Sequence, residues 1–195
     1  MIFKFRQSAL LACIFLTSTF SFSGLLIQVE DSANEGFNDP TFGNSRLLVF
    51  VEAANILSAY ITSDIDIVVS ARFDELACTQ TSATLGSASP TSTAYNFKNA
   101  PYTDTLYPIS LANALANEDL EPEKADVTAI FNSLLDTGNC LGGNTWYYGF
   151  DEAPEDQVSL LEVVLHELIH GLGFISTVSE DGSRLFYQWV DSNGN

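Results

Sequence analysis

The chain has two histidines in 195 residues, and both fall in one pentapeptide, His166-Glu167-Leu168-Ile169-His170. Residues at i and i+4 stack on one face of a helix, so this spacing aims both imidazoles at a single ion. Neutral imidazole is a good zinc ligand, and Glu167, on the neighbouring turn, can reach a water on that ion without being a ligand itself. The predicted chemistry is hydrolysis, with His166 and His170 as ligands for Zn2+ and Glu167 as the general base. The plainer alternative is two surface histidines on an ordinary helix. Both histidines lying opposite an apolar stripe weighs against it.

The helix that must carry this pair has a readable start and stop. Ser159-Leu160-Leu161-Glu162 fits a capping box, in which Ser159 accepts a backbone N–H and Glu162 reaches back. Leu161, Val164, Leu165 and Leu168 form its buried stripe. Gly171 and Gly173 predict an end within a turn of His170.

Upstream, Leu47, Phe50, Val51, Ala54, Leu57 and Ile61 predict a long helix over residues 46–61. Residues 64–74 change to a period of two, with Ile65, Ile67, Val69, Ala71 and Phe73 on one face of a half-buried strand. Residues 31–45 read as a polar surface lead-in. Residues 79–93 read as a Ser/Thr/Gly/Ala-rich loop in which Pro90 argues against regular structure. A short helix over 109–117 and a strand over 125–131 follow, then a turn over 138–144. An aromatic strand from Trp146 to Phe150 leads into an acidic loop over 151–156. The order predicts an α+β fold, a twisted sheet packed against the long helix and the histidine helix.

Composition limits the setting. Lys4 and Arg6 precede an apolar run over 8–20, and Ser21-Phe22-Ser23 offers small residues for cleavage before Gly24, so residues 1–23 read as a secretory signal peptide. The run is short and diluted by Ser and Thr for a membrane anchor, and little apolar sequence precedes Cys13 for a lipoprotein. About 170 residues remain, enough for one domain over 24–195. Cleavage leaves Cys78 and Cys140, an even pair that in an exported chain predicts a disulfide rather than two buried thiols. With 25 acidic residues against 7 basic and a formal charge of −18, the surface repels nucleic acid. The expected location is secreted or periplasmic, with no stable membrane insertion after cleavage.

The segment His166-Glu167-Leu168-Ile169-His170-Gly171-Leu172-Gly173-Phe174 resembles the active-site helix of zincin metallopeptidases, and Gly173 matches the glycine at which metzincins turn towards a third ligand. The chain is most similar to secreted bacterial peptidases with a His-Gly-Leu-Gly-Phe segment, whose longer members often carry a protease-associated domain. The resemblance implies a zincin-like upper subdomain and a zinc metalloendopeptidase acting on protein or peptide substrates. It also implies that a sheet edge near the active-site helix binds extended peptide.

Two departures qualify it. Ser176 stands where metzincins carry a third histidine, and Met1 is the only methionine, so no Met-turn is available. A third ligand would then be a carboxylate; Glu180, Asp181 and Asp191 are candidates, Asp181 first because Gly182 and Ser183 favour a turn. Only 25 residues follow His170 (195 − 170), so the lower subdomain is expected to be missing or truncated. The alternative to an enzyme is a non-catalytic secreted module with an incomplete metal site; a metal-dependent hydrolase of non-peptide substrates shares the motif.

Other chemistries fare worse. A serine hydrolase needs a free histidine base and a nucleophile elbow, and a cysteine peptidase needs an unpaired thiolate. Trp146, Tyr147, Tyr148 and Phe150 either line a substrate cleft or alternate between core and surface.

Overall fold

The computed structural model describes residues 19–22 and 24–175. Residues 1–18 of the expected leader lie outside that range, as do Ser176, Glu180, Asp181 and Asp191. In chain order the elements are β1 (Thr19–Phe22), β2 (Leu25–Val29), α1 (Gly43–Ser58), β3 (Ile67–Asp74), β4 (Gly86–Pro90), β5 (Thr93–Ala94) and β6 (Tyr107–Pro108). They continue with α2 (Ile109–Ala116), β7 (Val127–Asn132), β8 (Thr145–Tyr147), β9 (Gln157–Ser159) and α3 (Leu160–Gly171). The fold is α+β, with a five-stranded mixed sheet in the order β1-β2-β3-β7-β4. Strand β1, within the stretch read as a leader, pairs antiparallel with β2.

Strands β2, β3 and β7 run parallel, and β4 closes one side antiparallel to β7. Helix α1 joins β2 to the parallel β3 and packs beside α3 on the sheet, with α1 against β1 and β2 and α3 against β4 and β7. Leu25, Ile27, Val69, Val127, Ala129 and Phe131 of the central strands are essentially inaccessible to water. Phe50 of α1 meets Phe131 edge-on at 5.0 Å, which ties the helix to the sheet. Ser70 is buried as well as its apolar neighbours, so β3, a central strand, is covered more completely than simple alternation predicts.

The polar stretch ahead of α1 is more than a surface lead-in. Phe37 is buried against Phe50 and Phe73, and Asp31 accepts hydrogen bonds from the N–H groups of Phe37 (2.8 Å) and Phe73 (3.0 Å). Gly36 has a φ of +52°, and a Cβ there would meet the Asp31 carboxyl at 2.0 Å. Arg46, 3 % exposed, donates to Gly36 O and to Asp136, and its guanidinium lies 4.2 Å from the Phe73 ring centroid. Tyr148 donates to the same Asp136; burial first, then the Asp136 charge, keeps its phenol protonated.

The aromatic strand is shorter than its sequence suggests. Only Thr145–Tyr147 pairs, parallel to β9. Trp146 is buried and donates Nε1–H to Asn132 O at 2.7 Å, while Phe150 is exposed. The cysteines are bridged, Cys78 to Cys140 with Cα atoms 5.7 Å apart. No helix among the described residues is long and apolar enough to cross a membrane.

Candidate metal centre and adjoining groove

Helix α3 begins where the capping residues predict. Ser159 Oγ accepts the N–H of Glu162 at 3.3 Å, one half of the expected capping box. Its innermost row is Leu160, Val164, Leu168 and Gly171, with Leu161 and Leu165 half-buried beside it. Burying each of the three large side chains stabilises the packing by about 1.5–3 kcal/mol. Gly171 permits close seating, since a Cβ there would lie 2.3 Å from Val127 Cγ1 of β7. The helix then stops. Gly173 takes a φ of +109°, and a Cβ on it would meet Pro108 Cγ at 2.5 Å.

With the apolar row fixed against the sheet, the histidines turn outward. His166 is exposed and His170 half-buried, and their Nε2 atoms lie 3.0 Å apart. A tetrahedral ion with Zn–N bonds of about 2.0–2.1 Å holds two ligand nitrogens about 3.3 Å apart. The pair therefore fits one zinc ion after a separation of about 0.3 Å. Nδ1 of His170 is 2.7 Å from Phe174 O, an acceptor that places the proton on Nδ1 and leaves the Nε2 lone pair for a ligand. The turn at Gly173 is what brings that carbonyl back.

Glu167 points to a different neighbour. Its Oε2 accepts the backbone N–H of Ala88 in β4 at 3.1 Å. Gly86 makes room for this, because a Cβ there would sit 3.1 Å from Glu167 Cγ and 3.0 Å from the Phe131 ring. A groove of about 480 Å³ runs between residues 83–86 and the Glu162, Val163, His166 and Glu167 side of α3. Ala83 of its lining pairs with Cys78, which is bridged to Cys140, and Leu141 N–H donates to Thr79 O at 2.8 Å and Gln80 Nε2 to Asn139 O at 3.1 Å.

The structure thus places His166 and Glu167 in the lining of the groove, and His170 one turn further along α3 with its Nε2 against that of His166. Among the described residues no cluster of three or more His, Cys, Asp or Glu forms. The downstream carboxylates Glu180, Asp181 and Asp191 lie outside those residues. The aromatics Trp146 and Tyr148 belong to the core and to the Asp136 network, away from the groove lining.

Three contributors escape sequence reading. Strand β4 stands where Pro90 argued for a loop, and Ala88 N–H and Phe174 O are backbone atoms without a side-chain signature. Pro90 is tolerated because β4 is the last strand of the sheet among the described residues and the Pro90–Val127 pair needs no proline N–H.

A family model described as SPBPB7E8-like matches residues 37–192, which include the histidine helix and β4. No curated protein and no solved structure matches the chain.

Proposed function

The chain belongs to the SPBPB7E8-like family, and from the histidine helix we propose that it is a secreted zinc metalloendopeptidase of the zincin type. The observation that carries this reading is the 3.0 Å convergence of His166 Nε2 and His170 Nε2, with Nδ1 of His170 held by Phe174 O. A lone helical histidine pair has no need of such an orienting carbonyl; a ligand pair does.

His166 and His170 would hold the ion, and the third ligand, expected from the sequence to be a carboxylate, would come from outside the described residues. When bound, zinc supplies a Lewis acid for the scissile carbonyl and makes a nearby water more acidic. Glu167 accepts the water proton at a carboxylate oxygen and returns it to the departing amine nitrogen. The edge strand β4 lies alongside, so an extended peptide adding to it runs past Glu167. Two helices on a sheet with an antiparallel edge support the zincin-like upper-subdomain reading, and the bridged cysteines agree with an oxidising compartment.

The test is hydrolysis of an unfolded protein by the purified chain, with and without a zinc chelator, beside hydrolysis of small esters. Proteolysis lost on chelation and restored by zinc supports the reading. Ester hydrolysis alone points to a different metal-dependent hydrolase, and zinc-free inert protein points to a binding module.

A further inference from the structure

The hydrogen-bond phase of β4 decides what its outer edge offers. Asn132 N–H donates to Leu85 O and Thr91 N–H to Asp126 O, each at 2.9 Å, so the ladder with β7 uses the odd-numbered residues 85 to 91. The N–H and C=O groups of Gly86, Ala88 and Pro90 therefore face away from β7, and among the described residues β4 is the last strand of the sheet. Pro90 has no N–H. The outward donors are those of Gly86 and Ala88, and Ala88's is taken by Glu167.

We infer that Glu167 gates the free edge of β4: its carboxylate occupies the Ala88 N–H that an extended peptide must use, and peptide pairing releases it into the groove. The inference rests on the reading of Glu167 as a base and adds that substrate, by taking Ala88 N–H, frees that base. It also gives the edge a cover, which an exposed strand otherwise lacks. Gly86 belongs to the device, since a Cβ there would lie 3.1 Å from Glu167 Cγ and crowd it against the strand.

The experiment compares Glu167→Gln with Glu167→Ala in the full chain. Neither retains the base, so bound peptide is not consumed, but glutamine keeps an acceptor within reach of Ala88 and alanine does not. The probe is a fluorescein-labelled heptapeptide of alternating valine and threonine with lysine at each end, its affinity read by fluorescence anisotropy. The gate predicts about fivefold tighter binding to Glu167→Ala than to Glu167→Gln, the worth of one competing hydrogen bond.

Repeating the pair on an Ala88→Pro background removes the contested donor and should abolish the gain. Amide exchange at Ala88, followed by NMR, provides a readout that needs no proline. Exchange should be faster in Glu167→Ala than in the wild type and slow again with peptide. Equal affinities, a gain that persists without the Ala88 N–H, unchanged exchange, or no binding to any variant overturns the gate. Because binding is read without hydrolysis, the affinity gain in a chain that cuts no peptide upholds the gate and removes the peptidase reading. Proteolysis without the gain removes the gate alone.

Discussion

Phe174 O lies 2.7 Å from Nδ1 of His170, four residues back along the chain. The contact exists because Gly173, at φ +109°, turns the backbone where an L side chain would be strained and would strike Pro108. Gly173→Ala is therefore expected to move the Phe174 carbonyl and free the His170 ring while leaving both ligands in the sequence. Loss of such an orienting acceptor typically weakens metal binding about 10–100-fold. Competition for zinc against a chelator of known affinity measures it, and an unchanged affinity would show that the carbonyl does not orient the ring.

The seating of α3 on the sheet gives a second prediction. Gly171→Ala places a methyl 2.3 Å from Val127 Cγ1, an overpacking that should cost about 1–3 kcal/mol. Val127→Ala opens that space, so the double variant should lose less than the sum of the two single changes. Urea unfolding of the four proteins tests this, with simple additivity as the contrary result.

The bridge should matter for stability. Closing a loop with a sequence separation of 62 stabilises the fold by about 4 kcal/mol in the chain-entropy model. Reduction should lower the unfolding midpoint by roughly 10 °C for a chain of this size. The same midpoint with and without reductant would mean that the bridge constrains little.

Acid sensitivity of the approach to α1 follows from Asp39. Its Oδ1 accepts the N–H groups of Phe42 and Thr41, and these hold its carboxyl below the usual carboxylate range. A value depressed in the folded state stabilises above the unfolded pKa of about 3.9, and the contribution disappears as pH falls through the folded value. Asp39→Ala should cost about 1 kcal/mol near neutral pH, as loss of a comparable cap does, and less at pH 2. Denaturant titrations of both proteins at the two pH values provide the comparison; an equal cost at both would contradict it.

The features legible in the sequence were those with a strong local signal. Helix α3 is marked by Ser159, by its apolar row and by Gly171 and Gly173, and its observed span Leu160–Gly171 follows them. The long helix was legible to within three residues, because Asp39 and the turn after it start α1 at Gly43 rather than at its first apolar repeat. Strand β3 was legible from its alternation. Strand β4 was not: Gly86-Ser87-Ala88-Ser89-Pro90 carries little β propensity and is a strand through its pairing with β7 and its contact with α3. Strand β2, a five-residue and mostly apolar stretch beside an apolar leader, has too little alternation to be read. At the site, the residue types of His166, Glu167 and His170 were visible in advance. Their supports were not, since Ala88 N–H and Phe174 O are main-chain atoms brought near only by the fold.

Zinc content of the purified chain, measured for the wild type beside Glu167→Ala and His170→Ala, tests the central claim most directly. The account predicts near-stoichiometric zinc in the wild type, retained in Glu167→Ala because the base is not a ligand, and lost in His170→Ala. A wild-type chain that takes up no zinc, or a His170→Ala chain that keeps it, would contradict it.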